Sequence, residues 1–433
     1  MKLKLFILLF ACITGSSQFV QAQFLIEMID TSNVEGKGLW LSARKQDHLS
    51  VVGYFQPQFQ WAQEKGTDTY NGGNFAQRVD NRFMIRRGRI RFDYAHFTAE
   101  GKPSLQFALQ FDGSERGVNI RDFWGRLYEN RWELFTVTTG MFARPFGYEI
   151  NLSSQVRETP ERGRMSQILM KTERDLGAMV SFEPRRKGHR LAFLKWDIGV
   201  FNGQGMTGPN EFDSYKDLIT RLSVKPLTVS SNFTVSGGLS YLHGALAHNS
   251  RYVYKFSDGR HKQFSVDSSV DNLGSRSPRK YYGADLQTTF KHGWGKTIVR
   301  GEYWRGTQTG TALSSETPGE LEENAPFYIR DFDGAFVYLL QNIINEKHQA
   351  GLKFDFYDPN RKLKGSEIKT SSNGHSNADI KYTTITVGYN HYFNQNLKLF
   401  LWYDIVRNES TQLTGYETDI RDNVFTCRLQ YSF

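Results

Sequence analysis

An alternation with period two constrains this chain more than any other feature. LQFALQF (105–111) sets Leu105, Phe107, Leu109 and Phe111 against Gln106, Ala108 and Gln110. NFTVSGGLSY (232–241) places Phe233, Val235, Leu239 and Tyr241 on one face, and YYGADLQTTF (281–290) does the same with Tyr282, Ala284, Leu286 and Phe290. KYTTITVGYN (381–390) and NVFTCRLQYSF (423–433) repeat the pattern. Successive side chains of a strand point to opposite faces, so each segment reads as a strand with one apolar and one polar face. No segment carries a convincing amphipathic-helix period.

Strands are expected at about 49–60, 83–98, 103–112, 118–129, 132–142, 176–184, 190–202, 218–227, 231–243, 280–291, 295–306, 331–342, 347–357, 381–392, 396–407 and 420–433. The links between them alternate in length. AEGK (99–102), ENR (129–131), TVS (228–230), GWG (293–295) and NQN (394–396) are tight turns. Segments 61–82, 143–175, 203–217, 244–279, 307–330, 358–380 and 408–419 are long. Two links depart from the pattern: the second outer loop, GSERG, is short, and the turn near 184–189 is longer than its peers. Short turns on one rim and long loops on the other describe an outer-membrane barrel, and an even strand number puts both termini on the short-turn rim. The expected fold is therefore all-β, a transmembrane antiparallel β-barrel of about 16 strands, with short periplasmic turns and long outer loops.

Composition agrees. Aromatic residues are 14% of the chain and recur at strand ends, as at Phe55, Trp61, Trp132, Tyr389, Tyr392, Trp402 and Tyr403. Girdles at two lipid interfaces use aromatics in this way. A soluble core of this size would hold more Leu, Ile and Val, whereas a water-filled barrel needs apolar residues only outside.

Lys2 and Lys4, then LFILLFACI, then TGSSQFVQA give a basic start, an apolar core and an A-x-A-like exit. Residues 1–22 thus read as a secretory signal cut after Ala22. Residues 23–48 are expected to be an N-terminal periplasmic segment, and 49–433 the barrel. Loss of Lys2 and Lys4 lowers the formal charge from +9 to +7, a basic balance that favours anionic partners. Cys427 is then the sole cysteine, which excludes an intrachain disulfide and a cysteine-based zinc site. No later segment has the ~20 continuous apolar residues of a membrane helix. GxSxG, HExxH and P-loop motifs are absent, so no catalytic residue, metal or cofactor is expected. DFDG (331–334) and DPN (358–360) read as strand-end turns.

The chain ends on Phe433, with Tyr431, Leu429 and Cys427 on the same face. This ending resembles the signal read by the barrel-assembly machinery of Gram-negative outer membranes, which places the chain in that membrane. Arg428 stands where that pattern carries Gly.

FMIRRGRIRFDYAHF (83–97) holds four arginines in six positions. Alternation groups Arg86 with Met84, Gly88, Ile90, Phe92 and Tyr94. It groups Arg87, Arg89, Arg91 and Asp93 with Phe83 and Ile85. Arginine toward lipid near the midplane costs about 2–4 kcal/mol. Arg87, Arg89 and Arg91 are therefore expected in the lumen, about 6–7 Å apart along the strand. Arg86 is expected on the lipid side, near the outer interface and within reach of headgroups. A guanidinium ladder in a wet pore attracts anions. The competing reading pairs these arginines with lumen carboxylates such as Asp112, Asp122, Asp197 or Asp285. Nucleic acid is excluded as a partner, because the chain is exported and no nucleic-acid-binding motif accompanies the run.

The stretch 143–175 is the third outer loop by this count. It holds Arg144, Arg157, Arg162, Arg164, Lys171 and Arg174 against Glu149, Glu158, Glu161, Glu173 and Asp175. A loop this long without strand pattern is functional or disordered. Its near-balanced charge suits a salt-bridged constriction folded into the barrel, with a mobile outer loop as the alternative.

FMIRRGRIRF, GMFARPFG, SSQVRETPERGR, GVFNGQG (199–205), YYGADLQ, GEYWRG (301–306), KFDFYDPN (353–360), VGYNHYF (387–393) and the terminal RLQYSF together resemble the phosphate-selective porin O and P family, in order and spacing. The resemblance implies a sixteen-stranded outer-membrane porin, a homotrimer surrounded by outer-membrane lipid, with an inward third loop. It implies passive diffusion of small anionic solutes, phosphate or polyphosphate among them. It assigns Arg87, Arg89 and Arg91 to the pore wall and Arg144, Arg157, Arg162 and Arg164 to the loop near the constriction, as anion-binding residues. Interspersed acidic residues, and Glu316, Glu320, Glu322 and Glu323 in the sixth outer loop, weigh against a staircase dedicated to phosphate. The rival readings are a plugged structural or adhesive barrel and an outer-membrane barrel enzyme.

Overall fold

Alternation becomes strand almost throughout the computed structural model, which describes residues 39–44, 47–206, 211, 213–257, 262–318, 325–369 and 374–433. The expected signal, most of 23–48, and Glu320, Glu322 and Glu323 lie outside the described residues. The strands are β1 (Leu39–Arg44), β2 (Asp47–Ala62), β3 (Asn81–Phe97), β4 (Pro103–Ser114), β5 (Gly117–Tyr128), β6 (Phe135–Ala143), β7 (Arg174–Phe182), β8 (Leu194–Phe201), β9 (Asp217–Ser230) and β10 (Phe233–Ala247). They continue as β11 (Val253–Ser257), β12 (Gln263–Asp267), β13 (Arg276–His292), β14 (Gly295–Gly310), β15 (Phe327–Ile343), β16 (Asn345–Asp358), β17 (Tyr382–Tyr392), β18 (Leu397–Asn408) and β19 (Val424–Ser432).

Strands β2 to β10 and β13 to β19 each pair antiparallel with the next, and β10 pairs with β13. Strand β19 returns to β2, from Val424 opposite Ala62 to Ser432 opposite Tyr54. Sixteen strands thus close a barrel, and closure leaves no long unpaired edge within it. All sixteen correspond to expected strands. Sequence reading missed β1, which pairs with β2, and the β11–β12 hairpin, which lies in the loop before β13 and runs parallel to β15 from Val253 opposite Phe327. DFDG is no strand-end turn: it lies inside β15, whereas Asp358 does end β16.

The two faces sort as the alternation requires. Leu105, Phe107, Ile198, Leu222, Leu286, Val337, Phe354 and Ile385 are exposed on the outside. Asp197, Arg221, Ser223, Gln287 and Asp355, each one position from one of these, are buried inside. The interior departs from expectation on one side. Tyr281, Trp304, Phe332, Phe336, Tyr338 and Tyr357 point inward and are buried. They form an apolar core with Phe146, Ile150, Met165, Ile168 and Leu169 of the third outer loop. Apolar residues are therefore not confined to the outside of this barrel.

That loop, 144–173, turns into the barrel. It contains a short 3-10 turn (Glu149–Asn151) and helix α1 (Arg164–Leu169). Its apolar residues remove surface from water by packing on β13–β16, which drives docking. Its polar groups are met by the wall. Glu302 of β14 accepts from Tyr148 N (3.0 Å) and Glu149 N (2.9 Å), and from Trp304 Nε1 (2.5 Å). Glu149 accepts from Gly163 N (3.0 Å), from Ser166 Oγ and from Tyr338 Oη.

Candidate functional site

The inward loop meets β3 where the arginine run lies. Arg87, Arg89 and Arg91 are 7%, 3% and 1% exposed, and Ile90 between them is 44% exposed. All three line the interior. Arg86 does not face lipid. Pro57 pairs with Ile85, but the preceding Gln56 pairs with Arg87, so Arg86 is an extra residue in a β-bulge. A bulge shifts parity. Phe83 faces out before it, Arg87 faces in after it, and Arg86 also turns inward. Strand β5 repeats the device. Gln110 pairs with Asp122 and Phe111 with Ile120, leaving Arg121 bulged and buried beside Asp122.

One loop carboxylate gathers three of these guanidiniums. Glu161 lies 2.7 Å from Arg86 Nε, 2.7 Å from Arg87 Nη2 and 2.7 Å from Arg428 Nη2. Burial alone would raise the Glu161 carboxyl, but the three arginines outweigh it and hold it well below the usual carboxylate range. Arg428 also donates to Gln58 Oε1 (2.8 Å) and to Pro160 O (2.6 Å).

The rest of the cluster is paired more evenly. Arg89 bridges Asp112 (2.8 Å) and Ser154 Oγ (2.9 Å). Arg91 holds Asp93 (2.6 Å), with Asp122 at 3.6 Å. Arg174 holds Asp122 (3.0 Å), and Glu173 lies between Arg121 (3.3 Å) and Arg162 (3.5 Å). Those cations hold Glu173, like Glu161, well below its usual range against the effect of burial. Of the carboxylates named as partners in the competing reading, Asp112 and Asp122 do pair with the run, while Asp197 pairs with Lys195 and Asp285 with Arg221. Even so, three guanidiniums against one carboxylate leave the Glu161 group positive.

Arg157 differs from its neighbours. It is buried, donates to Leu152 O (3.2 Å), and its Nε and Nη1 have no hydrogen-bond partner among the described residues. Burial, and then the charge of Arg87, lower its pKa. A buried guanidinium with free donors beside other cations is suited to an oxyanion.

The structure brings Arg87, Arg89, Arg157 and Arg162 to this region, with Arg91 further along β3. It does not bring Arg144 or Arg164 there. Arg144 donates to Thr172 O and helps line a separate cavity of about 310 Å³ with Arg279 and Lys171. Arg164 stacks on Tyr382 at 3.8 Å and on Tyr70 at 4.9 Å.

Residues 346–433, the last four strands with Arg428 among them, match the family model of phosphate-selective porins O and P. Over those residues the chain is similar to this family. No curated protein matches the sequence of this chain. Its fold is similar to that of three solved structures. The outer membrane channel DcaP of Acinetobacter baumannii gives a TM-score of 0.52 at 12% identity, covering 91% of this chain and 99% of that one. OmpT of Vibrio cholerae gives 0.51 at 10%, covering 91% and 100%. OprB of Pseudomonas putida gives 0.54 at 7%, covering 89% and 94%. At these identities the likeness concerns the fold alone.

Sequence reading missed Glu161 as the shared anchor, and it missed Arg121, Arg174 and Arg428 on the wall. Arg428 was within reach: its parity is opposite to that of Phe433, and the outward side of the last strand belongs to Leu429, Tyr431 and Phe433.

Proposed function

We propose that this porin passes small anions by passive diffusion, and that the arginine cluster where the inward loop meets the wall selects them. The observation that carries the reading is the convergence of Arg86, Arg87 and Arg428 on the single carboxylate of Glu161. Positive charge that is not neutralised in a narrow, partly desolvated passage attracts anions and repels cations. Phosphate is the solute in the family's description, and Arg157 offers donors that an oxyanion would use. The pore-lining and anion-binding set on this reading is Arg87, Arg89, Arg91, Arg157 and Arg162, with Arg144 and Arg164 acting on the loop away from the cluster. The protein is a channel and carries out no reaction on its solute.

The same proposal takes residues 1–22 as the signal, 23–48 as a periplasmic segment, and Phe433, Tyr431 and Leu429 as the signal for barrel assembly. It takes the working unit as a homotrimer. Purified protein in a planar bilayer gives steady, ohmic current steps on this reading, and its reversal potential in a KCl gradient reports anion preference. Silence across independent preparations overturns it in favour of an occluded barrel. One observation favours that second reading: the loop reaches Tyr54 and Arg89 on one side and Tyr338 and Asp355 on the other.

A further inference from the structure

The turn from β7 to β8 is the long link on the short-turn rim, and its sequence is RRKGHR (185–190). Its backbone is fixed to the neighbouring turn, with Glu183 N donating to Leu134 O (2.7 Å) and Arg185 N to Glu133 O (2.8 Å). Arg185 is spent on structure, donating to Phe135 O (3.0 Å) and to Glu129 O. Arg186, Lys187 and Arg190 are exposed, and none of them forms an ion pair among the described residues. No carboxylate occurs from 184 to 196. Of the carboxylates beside the turn, Glu133 is already held by Lys102 at 2.6 Å and Glu183 by Lys225 at 2.8 Å. With Gly188, His189 and Leu191, the three cations line an open cleft of about 640 Å³.

Beside these charges the surface is apolar. Leu191 of the same turn, Trp132 of the adjoining turn, and Phe135 and Trp196 at the nearby strand ends are all exposed. They continue the belt that faces lipid. Three unpaired cations bordering the end of an apolar belt match a phospholipid: phosphate at the guanidiniums, acyl chain along Leu191 and Trp196. A periplasmic polymer would account for the charges but not for the exposed Leu191 and Trp132.

We infer that this turn binds the phosphate groups of anionic phospholipids in the periplasmic leaflet. The inference does not depend on which solute the pore passes. The test uses the full porin in phosphatidylcholine vesicles containing a minor fraction of lipid with brominated acyl chains, either phosphatidylglycerol or phosphatidylcholine, and reads quenching of tryptophan fluorescence. Brominated phosphatidylglycerol is expected to quench at least about twofold more than brominated phosphatidylcholine at low salt, and that excess is expected to vanish at ~1 M NaCl. In R186Q/K187Q/R190Q, shown to be folded by heat-modifiable gel migration, the excess is lost at low salt as well. An equal response to both lipids in the wild type overturns the inference, as does an undiminished excess in the triple variant. Loss of co-sedimentation with purified murein sacculi, with the lipid preference unchanged, overturns it in favour of a cell-wall contact.

Discussion

Gly53 and Phe433 exchange two backbone hydrogen bonds, Phe433 N to Gly53 O at 2.9 Å and Gly53 N to Phe433 O at 3.2 Å. The last residue of the chain therefore completes the seam against the first barrel strand. Its ring lies over Gly53, where an added Cβ would stand 2.5 Å from Phe433 Cζ and 2.7 Å from the Arg89 carbonyl oxygen. Gly53→Val is expected to displace the terminal ring and cost about 1–3 kcal/mol of barrel stability. Deleting Phe433 is expected to reduce membrane assembly sharply. Both are read as the loss of the heat-modifiable band. Normal assembly of either variant would mean that the seam does not need this pair.

Glu161→Gln removes the one carboxylate among the described residues that Arg86, Arg87 and Arg428 share as an ion-pair partner. Anion preference in a KCl gradient is expected to rise, and the loop to be held more weakly, since breaking a buried pair costs about 3–5 kcal/mol. Replacing Arg87, Arg89 and Arg91 together by Gln is expected to move the reversal potential toward cations. Arg86→Gln is expected to move it the same way, because the bulge turns Arg86 inward. An unchanged reversal potential in all three variants would show that solutes do not pass this cluster.

Arg157→Gln separates a solute contact from a structural one. The side chain is buried with two nitrogens lacking partners, so removing its charge is expected to leave stability within about 1 kcal/mol of wild type or to raise it. Competition of phosphate with chloride current is expected to weaken. A clear loss of stability with unchanged competition would assign Arg157 to the loop's structure instead.

The pH dependence follows from the loop carboxylates. Glu161 and Glu173 are both depressed by their arginines. A depressed folded pKa gives stability that is fully present above the unfolded value, about 4.3 for Glu, and lost as pH falls toward the folded pKa. Conductance and thermal stability should therefore hold from pH 7 down to about 5 and decline only below about 4. In Glu161→Gln the acid decline should be shallower. A transition near pH 6 in the wild type would point to another group.

The strands were legible because one face of each meets lipid and the period is two; even β15, with its run FVYLL, was found. The inward side of that strand was not. Phe336, Tyr338 and Leu340 face in while Val337 and Leu339 face out. A continuous apolar run marks a strand covered on both faces, which in a barrel means that something packs inside. The bulges at Arg86 and Arg121 were hidden for a different reason. They depend on hydrogen-bond register against a neighbouring strand, and nothing local in RRGRIR fixes that register. The arginine run stood out in the sequence, but its carboxylate partner lay 74 residues from Arg87, on a loop whose path the sequence does not give.

Glu161 has a consequence for the order of folding. Arg86 and Arg87 belong to β3, the second barrel strand, while Arg428 belongs to β19, the last. The loop that carries Glu161 is synthesised long before Arg428 exists. Its final seat therefore forms only after the two ends of the barrel have met, so an incomplete barrel lacks the finished seat of its inward loop, and that contact matures last.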